Sequence, residues 1–270
     1  MLNLARAASL VLTAAAFLFG TPALAEEPAT DAACPGFVAQ TRPLVIPAAL
    51  AKDEVALTFV GHATFLIESP GGIKVATDYN DYVRPQVVPD IATMNKAHST
   101  HNSLRPDPSI RILLRGWNPG GGAAKHDVQL GDVRVRNIPT NIRDWSGGGT
   151  DFDGNSIFVI ETADLCIAHL GHLHHTLEQG HLKRLGRIDV LLVPVDGSYT
   201  LDVDGMIEVL TAINAPLMVP MHYFGTATLN RFLARVEDRF PVERSASASI
   251  TLSRATLPKA PKILVLPSDR

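Results

Sequence analysis

The sequence has 270 residues, of which 46% are hydrophobic and 19% are charged, and its formal net charge is −3. This composition is typical of a globular chain with one large core or two small ones, and it excludes a disordered chain and a coiled coil. The charged residues are scattered, so the sequence has no basic pattern for binding nucleic acid or anionic lipid. Histidine, at 10 residues, is unusually frequent and indicates metal or proton chemistry.

The first 25 residues have the pattern of a secretory signal peptide. Arg6 precedes an almost uncharged run at 7–20, and small residues at 23–25 precede Glu26. The apolar run of about 14 residues is shorter than the roughly 20 that span a bilayer, which disfavours the alternative of an uncleaved membrane anchor. The sequence therefore predicts an exported protein, periplasmic or secreted, with no stable membrane anchor after cleavage.

After the signal peptide (1–25), we expect an N-terminal arm at 26–52 and one domain at 53–270. The arm contains Cys34, and the domain contains the second cysteine, Cys166, in an apolar strand-like run. An exported protein can form disulfides. We expect two independent cysteines, because a bridge from a terminal arm to a central strand would need an unobstructed path between them.

The order of the predicted elements indicates a mixed α/β (α+β) fold. Short β-rich runs at 55–60, 64–68 and 73–77 predict an antiparallel meander. Further strands are predicted at 110–115, 126–130, 133–138, 156–161 and 165–170. Predicted helices at 176–185, 203–213 and 227–237 then alternate with apolar strands at 188–193 and 217–220, which is typical of strand-helix-strand units.

The residues whose side chains suit catalysis or metal binding follow predicted strands. Loops held by a rigid sheet commonly carry functional sites. They are His62, Asp78, His98, His101, the segment 169–175, Asp196 and His222.

Two histidine clusters dominate this set. His98 and His101 are three residues apart, and the segment 169–175 has four histidines in seven residues. Imidazole nitrogen suits zinc and other transition metals, and three such ligands with an open fourth position form a catalytic site. An isolated pair of histidines at this spacing is also compatible with a structural or surface role. His62, His126 and His181 are expected not to bind metal.

The motifs in chain order resemble the metallo-β-lactamase superfamily over about residues 55–240. The nearest branch looks similar to the sugar-lactone phosphate lactonases. The motifs are Gly61-His62-Ala63-Thr64-Phe65-Leu66-Ile67-Glu68, Thr77-Asp78, the histidine loop, Gly154-Asn155-Ser156-Ile157-Phe158, His169-Leu170-Gly171, Val193-Pro194-Val195-Asp196-Gly197 and Pro220-Met221-His222-Tyr223. The resemblance implies an αββα sandwich, two mixed β-sheets flanked by helices, with one or two metals at the sheet edge and a water or hydroxide nucleophile.

The sequence departs from the family's HxHxDH motif, whose last four positions fall on 98–101. Lys96 stands where the first histidine belongs, and Thr100 stands where the aspartate belongs. The family's next histidine has no counterpart in 140–144, and His172 replaces the aspartate that bridges two metals. A neutral imidazole binds one metal well but replaces a bridging carboxylate poorly.

The resemblance therefore implies one metal ion, zinc or another divalent metal, rather than two. His101, His172 and His222 would hold it, with His98 as a candidate fourth ligand, at about 2.0–2.1 Å from each ring nitrogen for zinc. Asp78 would support the metal loop through hydrogen bonds. Asp196 would be a ligand, an orienting carboxylate or an ordinary turn residue. His169 and His174 are the alternative ligands from their loop.

The candidate catalytic residues are Lys96, Asp144 and Tyr223. The Lys96 ammonium either occupies the place of the missing metal, near His98 or Asp144, or extends into solvent. Tyr223, Tyr199 or Lys96 would stabilise a developing oxyanion.

These features predict a metal-dependent hydrolase that uses a metal-activated water on a small-molecule ester, lactone or phosphoester. The alternative is a non-catalytic binding protein that keeps the fold, with or without one metal. An open coordination position would favour catalysis, whereas a closed shell of four histidines would favour binding.

Overall fold

The computed structural model describes residues 49–144 and 146–269. The predicted signal peptide, Cys34 and most of the predicted arm lie outside the described residues. Cys166 has no disulfide partner within the described part of the chain. None of the helices described is long and apolar enough to cross a membrane.

The first sheet has six strands in the spatial order β13-β1-β2-β3-β4-β5. They are β1 (Val55–Gly61), β2 (Thr64–Glu68), β3 (Lys74–Ala76), β4 (Ile91–Met94), β5 (Ile112–Arg115) and β13 (Ser249–Leu252). Strands β1, β2 and β3 pair antiparallel, which confirms the predicted meander. Strands β3, β4 and β5 pair parallel, so the sheet is mixed.

The second sheet has eight strands in the order β12-β14-β11-β10-β9-β8-β7-β6. They are β6 (Asp127–Leu130), β7 (Val133–Asp144), β8 (Gly149–Thr162), β9 (Leu165–His169), β10 (Val190–Pro194), β11 (Leu217–Met221), β12 (Val242–Arg244) and β14 (Lys262–Val265). Strands β9, β10 and β11 pair parallel, as the predicted strand-helix-strand units require.

The two sheets pack face to face around one apolar core. Phe59, Phe65 and Ile67 from the first sheet meet Phe158 and Ile160 from the second, and all five are buried. Inward-facing residues alternate along each strand, as expected where two sheets enclose a core. Strand β10 is buried along its whole length because helices cover its other face.

The helices that the structure describes pack on the outer face of the eight-stranded sheet. They are α1 (Gln179–Leu185), α2 (Val203–Ile213) and α3 (Thr226–Val236). Their apolar side chains, such as Leu210 and Phe232, form a second core with that sheet. The outer face of the first sheet instead has a small cluster around Met94, covered by loop residues such as Trp117. Within the described residues, helices therefore cover only one of the two outer faces of the expected αββα sandwich.

The hairpin of β7 and β8 is longer than the sequence indicates. The predicted strands end near 138 and begin near 156, but pairing continues from Thr140 with Asn155 to Asp144 with Gly149. The glycines at 147–149 lie at the hairpin turn and the start of β8, with Gly148 at φ 71°. This extension rises next to the loop that follows β4, since Lys96 N donates to Gly154 O at 3.4 Å.

Candidate metal centre

Four histidines from three strand ends meet at one edge of the sandwich. His98 and His101 follow β4, His172 follows β9, and His222 follows β11. One ring nitrogen of each lies within 4.8 Å of the others, and His101, His172 and His222 are fully buried. These are the four histidines that the sequence predicts to share an ion.

A tight turn after β9 places His172. Gly171 has φ 61°, and a Cβ atom there would lie 2.4 Å from both Asn155 Oδ1 and Asn95 Nδ2. Glycine is thus required by the backbone conformation and by the two asparagines. Asn155 Oδ1 accepts the His172 backbone N–H at 2.8 Å, which fixes the start of the histidine-rich loop.

Two buried carboxylates orient two of the rings. His101 Nδ1 lies 2.5 Å from Asp78 Oδ2, and His222 Nδ1 lies 2.9 Å from Asp196 Oδ1. A carboxylate that accepts from Nδ1 leaves the Nε2 lone pair of a neutral ring available to a metal. Asp78 and Asp196 therefore have the geometry of supporting carboxylates, and the structure shows Asp196 oxygens occupied by the backbone N–H groups of Ser198, Tyr199 and Thr200.

Burial dominates the electrostatics of the cluster. It raises the pKa of Asp78 to about 6, and it lowers the pKa of His101 and His172 well below the usual value for histidine. Asp196 differs: burial would raise its pKa, but hydrogen bonds from His222 and Thr200 hold the pKa well below its usual range. The Asp196 carboxyl is therefore a fixed negative charge beside His222.

The facing nitrogens of His101 and His222 fit a cation. Their Nε2 atoms lie 3.0 Å apart. Because each ring has its Nδ1 against a carboxylate, Nε2 is the atom through which each ring can bind a metal. A metal ion satisfies the lone pairs of both Nε2 atoms, and imidazole is its ordinary ligand.

Hydrogen-bond directions give His172 a different role. Arg143 donates its backbone N–H at 2.8 Å and its Nε–H at 3.2 Å to His174 Nδ1. Burial, assisted by Arg143, lowers the pKa of His174 to about 4, so the ring is neutral and has its proton on Nε2. That proton is donated to His172 Nδ1, 2.5 Å away. The neutral His172 ring therefore keeps its own proton on Nε2.

The same chain of hydrogen bonds continues to His98. His172 Nε2–H faces His98 Nε2 at 3.0 Å, and His98 Nδ1–H faces Thr100 Oγ1 at 2.7 Å. Thr100 then donates to His62 Nε2 at 2.9 Å. His98 thus offers an Nε2 lone pair to the cluster, as His101 and His222 do, whereas His172 offers an N–H.

The structure separates the candidate catalytic residues. Lys96 Nζ pairs with Asp151 Oδ2 at 2.5 Å, instead of lying against His98 or Asp144 as the hypothesis of metal replacement requires. Asp144 accepts from Ser146, which lowers the pKa of this exposed carboxyl. The Tyr223 hydroxyl points to Leu266 O at 3.5 Å, and its ring packs beside Phe59. Lys96, Asp144 and Tyr223 thus each have a protein partner outside the histidine cluster.

His169, an alternative ligand in the sequence, has both ring nitrogens engaged by the backbone. Its Nε2 donates to Ala63 O at 2.8 Å, and its Nδ1 accepts from Gly171 N at 3.2 Å. It therefore holds the turn below the cluster.

Sequence reasoning missed the proximity of His62. Its ring centroid lies 4.3 Å from that of His222, and burial lowers its pKa to about 3. His62 has φ 51°, so its backbone conformation is unusual for a residue other than glycine. The Gly-His step before β2 was the signal that could have placed this ring next to the cluster.

Comparison with known proteins identifies the family. The model of the beta-lactamase superfamily domain matches residues 56–222. Because this range is more than half of the chain, the protein belongs to that family. The matched range contains the strands and loops that position all four clustered histidines.

Two relatives are named UPF0173 metal-dependent hydrolases. The protein of Archaeoglobus fulgidus is 28% identical over 62% of this chain and 82% of its own length. That of Methanoculleus marisnigri is 26% identical over 73% of this chain and 92% of its own. A crystal structure from Thermotoga maritima, described as a proposed Zn-dependent hydrolase of the metallo-beta-lactamase superfamily, has a TM-score of 0.59 and 27% identity, covering 78% of this chain and 98% of that one.

These likenesses confirm the superfamily and the fold that the motifs predict, and they agree with an enzyme. The resemblance to the lactonase branch stays a prediction.

Proposed function

We propose that this protein is an exported hydrolase with one divalent metal, zinc, that cleaves an uncharged ester or lactone. A metal held by the histidines would supply an activated water and polarise the carbonyl group. In the reaction, the water oxygen bonds to the carbonyl carbon, the carbon–oxygen bond to the alcohol breaks, and the alcohol oxygen takes a proton. The names of the relatives support the class of hydrolase.

The observation that carries this proposal is the number of ring nitrogens ready to bind. All four histidines have a ring nitrogen in the cluster, and in the tautomers that the Arg143–His174–His172 contacts favour, His98, His101 and His222 offer Nε2 lone pairs while His172 keeps an Nε2 proton. Three ligands and one open position are typical of catalytic zinc sites. A closed shell of four histidines would favour the alternative, a binding protein.

Hydrogen bonds within the protein also hold the rings of His98, His101 and His222 in place. Asp196 holds His222, Asp78 holds His101, and the Thr100 hydroxyl bridges His98 and His62. These contacts direct the Nε2 atoms of His101 and His222 toward each other. The cluster is thus preorganised for binding.

Replacing His174 tests this arrangement. In His174→Ala, the Nδ1 of His172 loses its donor, so the His172 proton can move to Nδ1 and the ring can bind metal through Nε2. We expect zinc affinity to stay equal or rise, and the Co²⁺-substituted protein to change its visible spectrum toward a closed four-nitrogen site, with lower turnover. If His174 were an ordinary supporting partner, zinc affinity would instead fall by about 10–100-fold.

Export rests on the signal-peptide pattern of residues 1–25. Expression of the full chain in a bacterial host with a secretory pathway should give a mature protein that begins at Glu26. Intact-mass analysis of the periplasmic fraction measures this directly. Retention of Met1 in the mature pool would contradict export by cleavage after Ala25.

Hydrolysis is tested with the zinc-loaded and the chelator-treated protein on matched substrates: neutral p-nitrophenyl esters, aliphatic lactones and a phosphodiester. The proposal expects turnover of esters or lactones that disappears with chelator and returns with zinc. A zinc-loaded protein that cleaves none of them would favour the binding protein.

A further inference from the structure

Two exposed aromatic side chains stand at the rim of the histidine cluster. Tyr199 is 52% exposed and Phe224 is 61% exposed, and their ring centroids lie 5.4 Å apart in an edge-to-face contact. Phe224 also lies 5.5 Å from the His222 ring and 5.8 Å from the His62 ring. An apolar surface of this kind is therefore continuous with the candidate metal centre.

The backbone of Tyr199 is held firmly although its ring is exposed. The Tyr199 N–H donates to Asp196 Oδ2 at 2.6 Å, and the Tyr199 carbonyl accepts from Arg143 at 2.8 Å. Phe224 lies between His222 and Gly225, which directly precedes α3. Single exposed apolar residues need no explanation, but two adjoining aromatic rings beside a candidate metal centre form an apolar surface that a ligand can cover.

The cationic side chains bordering the site have N–H donors that are already engaged by protein acceptors. Lys96 pairs with Asp151 at 2.5 Å, Arg143 binds the carbonyl oxygens of 198–200, and Arg231 binds Asp196 O at 2.6 Å. Each of these cations is thus already matched with a protein acceptor. A phosphate group would have to compete with these acceptors, whereas an apolar group would cover only the aromatic rings.

We infer that the Tyr199–Phe224 pair binds the apolar acyl part of a neutral ester or lactone and places its carbonyl group at the histidine cluster. The inference rests on the proposed function and specifies its substrate class. Covering the two rings with an alkyl chain removes apolar surface from water on both partners, which favours long acyl chains over short ones.

The test compares p-nitrophenyl decanoate with p-nitrophenyl butyrate, using the zinc-loaded wild type and the variants Tyr199→Ala, Phe224→Ala and the double variant. For wild type, kcat/KM should be about tenfold higher for decanoate, which corresponds to about 1.4 kcal/mol. The ratio should fall toward one in the double variant, and Phe224→Leu should keep part of it. Tyr82→Ala is the matched control, because Tyr82 is 66% exposed on the loop between β3 and β4.

A binding measurement separates this inference from the proposed function. Isothermal titration of the zinc-loaded protein with decanohydroxamic and acetohydroxamic acid should show tighter binding of the longer compound in wild type and equal binding in the double variant. If acetohydroxamic acid binds and esters are cleaved without a chain-length preference, the role of the Tyr199–Phe224 pair is overturned. The proposal that the protein is a hydrolase would remain. Loss of the preference in Tyr82→Ala, or faster turnover of bis(p-nitrophenyl) phosphate than of the esters, would also overturn the role of the pair. If the protein neither binds the hydroxamic acids nor cleaves the esters, both this inference and the proposed function are overturned.

Discussion

His101→Ala is expected to abolish tight metal binding and, with it, hydrolysis. His101 is fully buried, and its Nε2 faces His222 Nε2 at 3.0 Å, so its loss removes one of the two nitrogens that face each other. Zinc affinity should fall by more than about a hundredfold, since even removal of an outer partner of a metal ligand costs 10–100-fold. Competition with a chromophoric chelator measures this loss, and His222→Ala should behave alike.

The matched control for this prediction is His126→Ala. His126 Nε2 forms a hydrogen bond with Arg115 O at 2.7 Å, and His126 takes no part in the cluster. Its zinc affinity should equal that of wild type. Equal affinities in His101→Ala and His126→Ala would show that the metal, if bound, lies elsewhere.

Asp196→Ala is expected to destabilise the protein as well as the metal site. The carboxylate accepts from the His222 ring, from the Thr200 hydroxyl and from three successive backbone N–H groups at 198–200. Alanine leaves these buried and part-buried donors without their acceptor, so we expect a loss of about 2–4 kcal/mol in the free energy of unfolding. Zinc affinity should also fall, by about 10–100-fold, because His222 loses the group that orients it.

The pH dependence of this effect follows from the low pKa of Asp196. A carboxyl group whose pKa is lower in the folded state stabilises the fold above its unfolded pKa of about 4, and this contribution is lost as the pH falls through the folded pKa. The difference between wild type and Asp196→Ala should therefore stay constant from about pH 5 to 8 and shrink only in stronger acid. Urea unfolding of the metal-free proteins measures it.

Asp204→Ala is the control for stability. Asp204 forms an ion pair with Arg235 on the surface, and both side chains are more than half exposed. Its removal should change the free energy of unfolding by less than about 0.5 kcal/mol. A loss in Asp196→Ala no greater than that in Asp204→Ala would contradict the structural role of the Asp196 loop.

The fold was largely predictable because its strands alternate or are continuously apolar. The run at 190–193 is apolar throughout, as strand β10 must be where a sheet and helices cover both faces. Strands β12, β13 and β14 were not predicted, since they have only three or four residues each. The β7–β8 extension was missed because polar residues and glycines at 140–155 resemble a loop until they pair across the hairpin.

The meeting of the four histidines was predictable from their positions at strand ends in the family's order. Their protonation was not, because it depends on contacts between distant segments. His174 receives its hydrogen bonds from Arg143, 31 residues away, and that contact decides which nitrogen of His172 has a proton. Likewise, the partner of Lys96 is Asp151, which comes next to it only through the long hairpin.

The most direct measurement of the central claim is the metal content and affinity of the mature protein. The chain is purified without added metal, stripped with chelator, and titrated with zinc while bound metal is quantified by mass spectrometry. We predict one zinc per chain, with ester or lactone turnover rising in proportion and saturating at one equivalent. Two equivalents bound with equal affinity, or no tight binding at all, would contradict a single catalytic metal held by His98, His101 and His222.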